Sequence, residues 1–233
     1  LEFSLDEENF LTWMDKYGFI PLPPYIQRKE AKTASQSKDT KLYQTAFANE
    51  HGSCAAPTAG LHFTNEILAK LTQKNIQVAA VTLHVGAGTF SPVRDQEISQ
   101  HKMHSENYLI PDKTFAAIEK AKAEGKKIFT VGTTTFRALE SFAQYCQNNK
   151  TDPKLLCNQW LETNLFIYPD KENQKHQTKW ADALITNFHQ PKSTLFMLVC
   201  SLLGYDNAHK IYQEAIKQNY RFYSYGDCSL LWL

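Results

Sequence analysis

Residues 128–146 read IFTVGTTTFRALESFAQYC, in which a short apolar stretch leads through a Gly-Thr-Thr-Thr turn into an amphipathic segment. Residues 128–131 have the character of a short buried strand. The apolar side chains that follow recur at helical spacing, so one face of a helix would carry Phe136, Leu139, Phe142, Ala143 and Cys146. The sequence therefore predicts a strand and a helix that are joined by the turn at 132–135.

The same order of elements recurs on both sides of this stretch. Before it, Thr64 is a predicted N-cap of a helix, and residues 78–85 are rich in β-branched side chains, as buried strands are. After it come an apolar strand, a helix capped by Ser193 or Thr194 and ending at Gly204, a further helix and an aromatic strand, at 183–186, 194–203, 208–216 and 220–225. This alternation predicts an α/β domain with a largely parallel sheet and helices on both faces, in three layers.

Composition and charge are those of an ordinary globular protein, with 42% hydrophobic residues, 21% charged residues and a net charge of +1. The longest apolar run, 195–203, is too short to cross a bilayer, and no signal pattern opens the chain, so we expect a cytoplasmic protein without a membrane partner. Five cysteines without a Cys-x-x-Cys pair argue against a disulfide framework and a structural zinc site. The net charge neither supports nor excludes RNA binding, because phosphates need only a local basic patch.

Three predicted strand-end loops carry glycines and polar side chains, at 84–89, 132–135 and 187–193. Ligands of α/β domains bind beyond the carboxyl ends of the strands. Glycines let backbone N–H groups approach a ligand, and the N-terminus of a following helix favours an anion. Each loop is equally compatible with a plain turn and a helix cap. We expect a ligand pocket where the three loops converge.

Residues 101–106, HKMHSE, place two imidazoles and a carboxylate within six positions. Such groups serve as general acids and bases near neutral pH. The same residues are compatible with a polar surface turn or with metal ligands, although the spacing is not that of a His-Glu-x-x-His helix. His62 and His84, which lie close to glycines, are either structural or functional.

Four basic residues are candidate partners of phosphate or carboxylate groups, and each is also compatible with a solvated surface charge: Arg94, Arg137, Lys192 and Arg221. The aromatic run at 220–225 is expected to be mostly core strand. Alternation along a strand leaves part of it on the opposite face, where a ring could stack on a base or contact a sulfonium cation.

Nine stretches, in order, match one protein family better than any general motif: PLPPYI at 21–26, YQT at 43–45, APTAGLHF at 56–63, TLHVGAGTF at 82–90, MHSE at 103–106, VGTT at 131–134, LITNFH at 184–189, PKST at 191–194 and FYSYGD at 222–227. Over nearly its whole length the chain resembles the S-adenosylmethionine:tRNA ribosyltransferase-isomerases of queuosine biosynthesis. Members usually carry a longer N-terminal region with a small β-barrel. The resemblance therefore implies that residues 1–20 are the return segment from a missing or incomplete barrel, and that residues 21–233 are the α/β catalytic domain.

The resemblance also implies the reaction. Such enzymes transfer the ribosyl group of S-adenosylmethionine to a 7-aminomethyl-7-deazaguanine base at the tRNA wobble position and isomerise it. The product is epoxyqueuosine in tRNA, and adenine and methionine are released. S-adenosylmethionine is then the ribosyl donor, tRNA is the partner, no metal is needed, and we expect a monomer.

The expected roles fall on matching positions and on four residues outside the matching stretches: Arg94, His101, Arg137 and Arg221. Proton transfer is assigned to His104 and Glu106, with His62 and His84 as further candidates. S-adenosylmethionine binding is assigned to Thr58, Gly60, Gly86, Gly88, Thr89, Gly132, Thr133, Thr134, Arg137 and Asn187. Contacts to tRNA and its modified base are assigned to Tyr43, Gln44, Arg94, His101, Met103, His189, Lys192, Ser193, Arg221 and Tyr225.

The chain departs from the family pattern mainly at 169–176, where PDKENQKH replaces the customary Pro-Gly-Tyr-x-Phe. This departure keeps a second hypothesis open, a tRNA-binding module without activity, although the retained His104 and Glu106 speak against it. A third hypothesis is a metal-dependent hydrolase built on His84, His101, His104 and Glu106. Elemental analysis of the purified protein distinguishes that last class.

Overall fold

The computed structural model describes residues 4, 6–26, 39, 41–86, 98–101, 103–169 and 175–233. The chain divides into two compact units, Leu1–Gln44 and Thr45–Leu233. In the first unit, helix α1 (Glu7–Tyr17) is capped by the Asp6 carboxylate, which accepts the N–H of Asn9 at 2.9 Å, and ends at Gly18. The division into a return segment and a catalytic domain at residue 20 stays a prediction.

The second unit mixes helices and strands. Its helices are α2 (Asn65–Gln73), α3 (Asp112–Ala123), α4 (Thr133–Asn149), α5 (Thr194–Leu203) and α6 (Tyr205–Lys217). Its strands are β1 (Thr82–His84), β2 (Glu106–Leu109), β3 (Phe129–Val131), β4 (Leu161–Thr163), β5 (Ala183–Asn187) and β6 (Cys228–Trp232). Short 3-10 helices occur at Thr58–His62, Ile98–Gln100 and Pro153–Leu156.

The strands form two three-stranded sheets, in the orders β1-β2-β4 and β3-β5-β6. The predicted α/β class is confirmed, but the largely parallel sheet is not: among the described strands, β3 and β5 are parallel and the other three pairs are antiparallel. Between the parallel strands β3 and β5, the chain forms α4 and then β4, which belongs to the other sheet. Two consecutive helices, α5 and α6, follow β5, and the chain therefore re-enters the sheet as an antiparallel β6. The predicted three layers and the β-barrel are not confirmed.

The predicted helix caps are confirmed in detail. Thr64 Oγ1 accepts the N–H of Ile67, and Ser193 Oγ accepts the N–H of Phe196, so each side chain satisfies a donor of the first helical turn. Gly204 ends α5 with φ 84°, a conformation that favours glycine. In the described ranges, no helix is both long enough and apolar enough to span a bilayer.

Two predicted strands differ from the structure. Within 78–85, only Thr82–His84 forms a strand. Residues 220–225 form a loop rather than an aromatic strand, and the strand begins only at Cys228. Here tertiary contacts override β-propensity, because Tyr223 takes φ 71° and donates its N–H to Phe188 O, while Arg221 and Asp227 bond across the base of the loop.

Helix α4 packs against both sheets. Its Phe136 belongs to a core cluster with Leu184 of β5 and Leu231 of β6, whereas its Phe142 belongs to a second cluster with Tyr108 of β2. Both phenylalanines are fully buried, and each contributes about 1.5–3 kcal/mol of transfer free energy. This double packing fixes the N-terminus of α4 relative to the ends of the strands.

Candidate functional site

The parallel strands β3 and β5 end beside the first turn of α4. Val131 pairs with Ile185, and the N–H of Gly132 donates to Ile185 O at 2.8 Å, which continues the pairing one residue further. Gly132 has φ 88° and turns the chain directly into α4 at Thr133. Asn187, two residues beyond Ile185, therefore lies next to the start of α4.

A third segment joins these two strand ends. Thr58 Oγ1 donates to Asn187 Oδ1 at 2.9 Å, while Ser53 Oγ accepts the N–H of Val85 and the N–H of Cys54 donates to Val85 O. Residues 53–58 thus connect the end of β1 to the end of β5. The structure brings together Thr58, Gly132, Thr133 and Asn187 of the predicted S-adenosylmethionine residues, with Thr134 in the same helical turn. Gly88 and Thr89 lie outside the described residues.

The two remaining predicted glycines have different surroundings. Gly60 is buried, and a Cβ there would lie 2.5 Å from Phe47 Cζ and 2.9 Å from Thr45 Cγ2, so packing accounts for this glycine. A Cβ on Gly86 would meet no atom within 4 Å among the described residues, so no packing contact in this part of the chain requires glycine there.

Glu106 and Arg137 form a buried ion pair between β2 and α4. Glu106 Oε2 lies 2.5 Å from Arg137 Nη1, and the two side chains are 4% and 7% exposed. Arg137 Nε donates to Leu165 O at 3.1 Å, and Nη2 has no hydrogen-bond partner within the described parts of the chain. The pair gives both residues a structural contact that their predicted roles did not include.

His104 and Glu106 differ in their exposure. His104 is exposed in the segment that precedes β2, whereas Glu106 is buried at the start of that strand. Opposite residues of an antiparallel pair point to the same face. His84 pairs with Asn107, so its side chain points to the face of the sheet opposite to that of Glu106. His84 and Glu106 therefore do not share one face of this sheet.

The two other histidine surroundings are also distinct. The His84 ring packs against Trp160, with ring centroids 4.6 Å apart, and a Cβ on Gly52 would touch its imidazole. His62 is half-buried at the end of the Thr58–His62 helix. The pKa of Asp227 is lowered mainly by the N–H of Arg221, and the charge of His62 contributes. His62 is thus near enough to Asp227 of the 221–227 loop for its charge to act on that carboxylate.

The loop after β5 contains two residues with internal contacts. His189 Nε2 lies 2.8 Å from Thr186 Oγ1, its backbone N–H donates to Tyr212 Oη, and burial lowers its pKa to about 4. Ser193 caps α5 and also donates to Gln190 O. The hydrogen bonds of His189 and Ser193 therefore stabilise the fold, a role that is separate from the tRNA contacts predicted for these two residues.

The other predicted tRNA contacts are spread along the chain. Lys192 is exposed and has φ 59°, and Arg221 is exposed and pairs with Asp227 at 3.2 Å.

His101 packs edge-on against Phe166, Met103 is half-buried and Tyr225 is exposed. Tyr43 is buried and Gln44 exposed in the first unit, which is described by itself, and Arg94 lies outside the described residues.

Sequence reasoning missed Glu140. It is fully buried, and its carboxylate accepts the N–H groups of Lys179, Trp180 and Ala181 at 2.7, 3.0 and 3.3 Å. These bonds anchor the segment that follows residues 169–176, where the sequence departs from the family pattern. The available signal was an acidic residue one helical turn from Phe136 and Ala143, on the predicted apolar face. Among the described residues, no three His, Cys, Asp or Glu side chains are grouped as a metal site.

The chain is similar to proteins of one described family. A family model described as "Queuosine biosynthesis protein" matches residues 1–231. The S-adenosylmethionine:tRNA ribosyltransferase-isomerase of Treponema denticola is 49% identical over 219 residues, which cover 94% of this chain and 58% of that protein. The relative of the same name from Rickettsia bellii is 48% identical over 232 residues, which cover 100% of this chain and 61% of that protein.

A solved structure matches as well. The crystal structure of S-adenosylmethionine tRNA ribosyltransferase from Thermotoga maritima aligns with a TM-score of 0.54 and 38% sequence identity, over 74% of this chain and 50% of that one. The chain spans about three fifths of the length of the two curated relatives. Because the family model matches almost every residue, the chain belongs to the family of queuosine biosynthesis proteins.

Proposed function

We propose that this chain carries the catalytic domain of an S-adenosylmethionine:tRNA ribosyltransferase-isomerase. It transfers the ribosyl group of S-adenosylmethionine to a 7-aminomethyl-7-deazaguanine in tRNA, isomerises it to the epoxycyclopentane of epoxyqueuosine, and releases adenine and methionine. The observation that carries the proposal is the identity of 48–49% to relatives of that name over 94–100% of this chain.

S-adenosylmethionine binds, in this proposal, where β3 and β5 end. The support is the grouping of Thr58, Gly132, Thr133 and Asn187. A site at the carboxyl end of parallel strands is where ligands of α/β domains bind. A following helix N-terminus provides N–H donors that do not depend on side-chain chemistry.

Proton transfer falls to His104 and His62 rather than to Glu106. The positive sulfonium acidifies the neighbouring C5′ proton, so a positioned base can remove it, and adenine needs a proton to depart. His104 is exposed and can reach a large substrate, and His62 lies four residues after Thr58. Glu106 is engaged by Arg137 and holds that guanidinium between β2 and α4.

The tRNA contacts the exposed cations and rings around the 188–194 and 220–227 loops. Lys192, Arg221 and Tyr225 are exposed there, and Tyr223 ties one loop to the other through its bond to Phe188 O. Cations bind phosphates, and tyrosine rings can stack on an unpaired anticodon base. The monomeric state and the cytoplasmic location stay predictions.

The test is mass spectrometry of tRNA that carries the 7-aminomethyl-7-deazaguanine base, after incubation with the protein and S-adenosylmethionine. We expect the tRNA to gain the epoxycyclopentane group and adenine to appear in equal amount. S-adenosylhomocysteine is the matched control, since it lacks the sulfonium charge and should give no product. Retained tRNA binding without any mass change would favour a binding module, and activity lost to a chelator and restored by zinc would favour a metal-dependent enzyme.

A further inference from the structure

The side-chain amide of Asn187 has one donor group, Nδ2, that makes no hydrogen bond within the described part of the fold. Asn187 is 3% exposed, and its Oδ1 accepts the hydroxyl of Thr58 at 2.9 Å. Its Nδ2 is buried and has no hydrogen-bond partner in the described parts of the chain. Buried polar groups of folded proteins are almost always paired, so an unpaired donor beside a site points to a ligand.

The start of α4 offers further donors at the same place. The first N–H groups of a helix have no partner within the helix, and the aligned peptide dipoles give this end a partial positive charge. The N-cap of α4 is Gly132, which has no side chain to accept from these groups, and the first turn, beginning at Thr133, contains no acidic residue. At 17 residues, α4 is long enough for its dipole to be fully developed.

The parallel register places the two sets of donors together. Gly132 already uses its N–H on Ile185 O, so β5 runs alongside the turn into α4 and Asn187 continues past it. Thr58 donates to Asn187, and Cβ of the preceding residue, Pro57, lies 3.8 Å from where a Cβ on Gly132 would stand. Residues 57–58 therefore contact both the turn into α4 and the Asn187 amide, which places the helix N-terminus and the amide close together.

We infer that the first turn of α4 and the Nδ2 group of Asn187 form a carboxylate site that holds the methionine carboxylate of S-adenosylmethionine. This inference rests on the proposed function and adds the orientation of the donor within its site. A carboxylate has one negative charge and up to four acceptor positions, which match an amide donor plus helical N–H groups. The burial of Asn187 favours the compact end group of a small molecule over a phosphate of the bulky tRNA backbone.

Isothermal titration of this 233-residue chain with two ligands tests the inference. S-adenosylmethionine should bind at least about tenfold more tightly than decarboxylated S-adenosylmethionine, since hydrogen bonds to a charged group are lost with the carboxylate. This comparison on the wild-type chain needs no variant. Equal affinities would overturn the carboxylate site, whereas no binding of either ligand would overturn the proposed function as well.

The variant Asn187→Asp sharpens the test, because it keeps the shape and the Thr58 bond but replaces the donor with a negative charge. We expect it to weaken S-adenosylmethionine binding about tenfold or more and to leave the decarboxylated ligand unaffected or better bound. Asn207→Asp, at an exposed position of α6, is the matched control and should change neither affinity. If Asn187→Asp weakened tRNA binding and left the ratio of the two ligands unchanged, the site would hold a tRNA phosphate and the inference would be wrong.

Discussion

Arg137 and Glu106 are joined by a buried ion pair, with 2.5 Å between Nη1 and Oε2, that links the second turn of α4 to the start of β2. Glu106 comes from a stretch that matches the family, Arg137 follows another such stretch, and both were predicted to act on substrate. Their pairing gives them a structural role, because it fixes the position of α4, the helix whose N-terminus borders the site. A substitution at Arg137 or Glu106 should therefore lower the stability of the fold more strongly than it lowers the rate of the chemical step.

Replacing Glu106 with alanine should lower the free energy of unfolding by about 3–5 kcal/mol, since it leaves the buried Arg137 charge uncompensated. Glu106→Gln keeps an acceptor for Arg137 and should cost less. Urea denaturation measures both. Where the Gln variant is folded, its single-turnover rate should stay within about tenfold of wild type. A loss of two or more orders of magnitude at unchanged stability would instead make Glu106 the catalytic base.

His104→Ala should lower the single-turnover rate by roughly two to four orders of magnitude, the size expected for a lost general acid or base. Because His104 is exposed, the melting temperature and the affinity for S-adenosylmethionine should hardly change. His51→Ala is the control, at another exposed histidine, and should retain the wild-type rate. Wild-type turnover in the His104 variant would move the proton transfer to His62.

Acidification should destabilise the protein through His189. Burial lowers its folded-state pKa to about 4, below the value near 6.5 of the unfolded chain, so the unfolded state binds more protons between these values. The free energy of unfolding should therefore fall as the pH drops from 6.5 to 4, by up to about 3 kcal/mol from this residue.

The measurement compares the pH dependence of urea unfolding in the wild type and in His189→Gln, since other groups titrate equally in both. The difference between the two curves should shrink on acidification, because the glutamine takes up no proton. Parallel curves from pH 7 to pH 4 would show that His189 titrates normally in the folded protein.

Affinity for tRNA should fall steeply with salt in spite of the small net charge, because phosphate contacts release counterions. Lys192→Ala and Arg221→Ala should each reduce the slope of log affinity against log salt by about one. Arg221→Ala should weaken binding more, since it also frees the Asp227 carboxylate to repel phosphate. Filter binding at several salt concentrations tests this, with Lys210→Ala on α6 as the control. Unchanged slopes in both variants would place the phosphate contacts elsewhere.

The helices and their ends could be predicted from the local sequence. The Thr64 and Ser193 caps, the stop at Gly204 and the apolar spacing from Phe136 to Cys146 all predicted what the structure shows, because capping bonds and helical periodicity involve residues only three or four apart. The prediction of a strand at 220–225 was wrong because contacts with residues distant in sequence determine the conformation of this segment. Its aromatic residues favour a strand, but Phe188, far away in sequence, fixes Tyr223 in a turn.

Sheet topology and the partners of the site residues needed the tertiary structure. Residue types alone marked Asn187, Gly132, Glu106 and Arg137 as chemistry-bearing, and the nine matching stretches pointed to the family. Which of them meet was decided by long-range contacts: Thr58 reaches Asn187 across 129 positions, and Arg137 reaches Glu106 across 31. A sequence records the character of each side chain, but burial and pairing between distant segments decide whether that side chain supports the fold or remains available to a substrate.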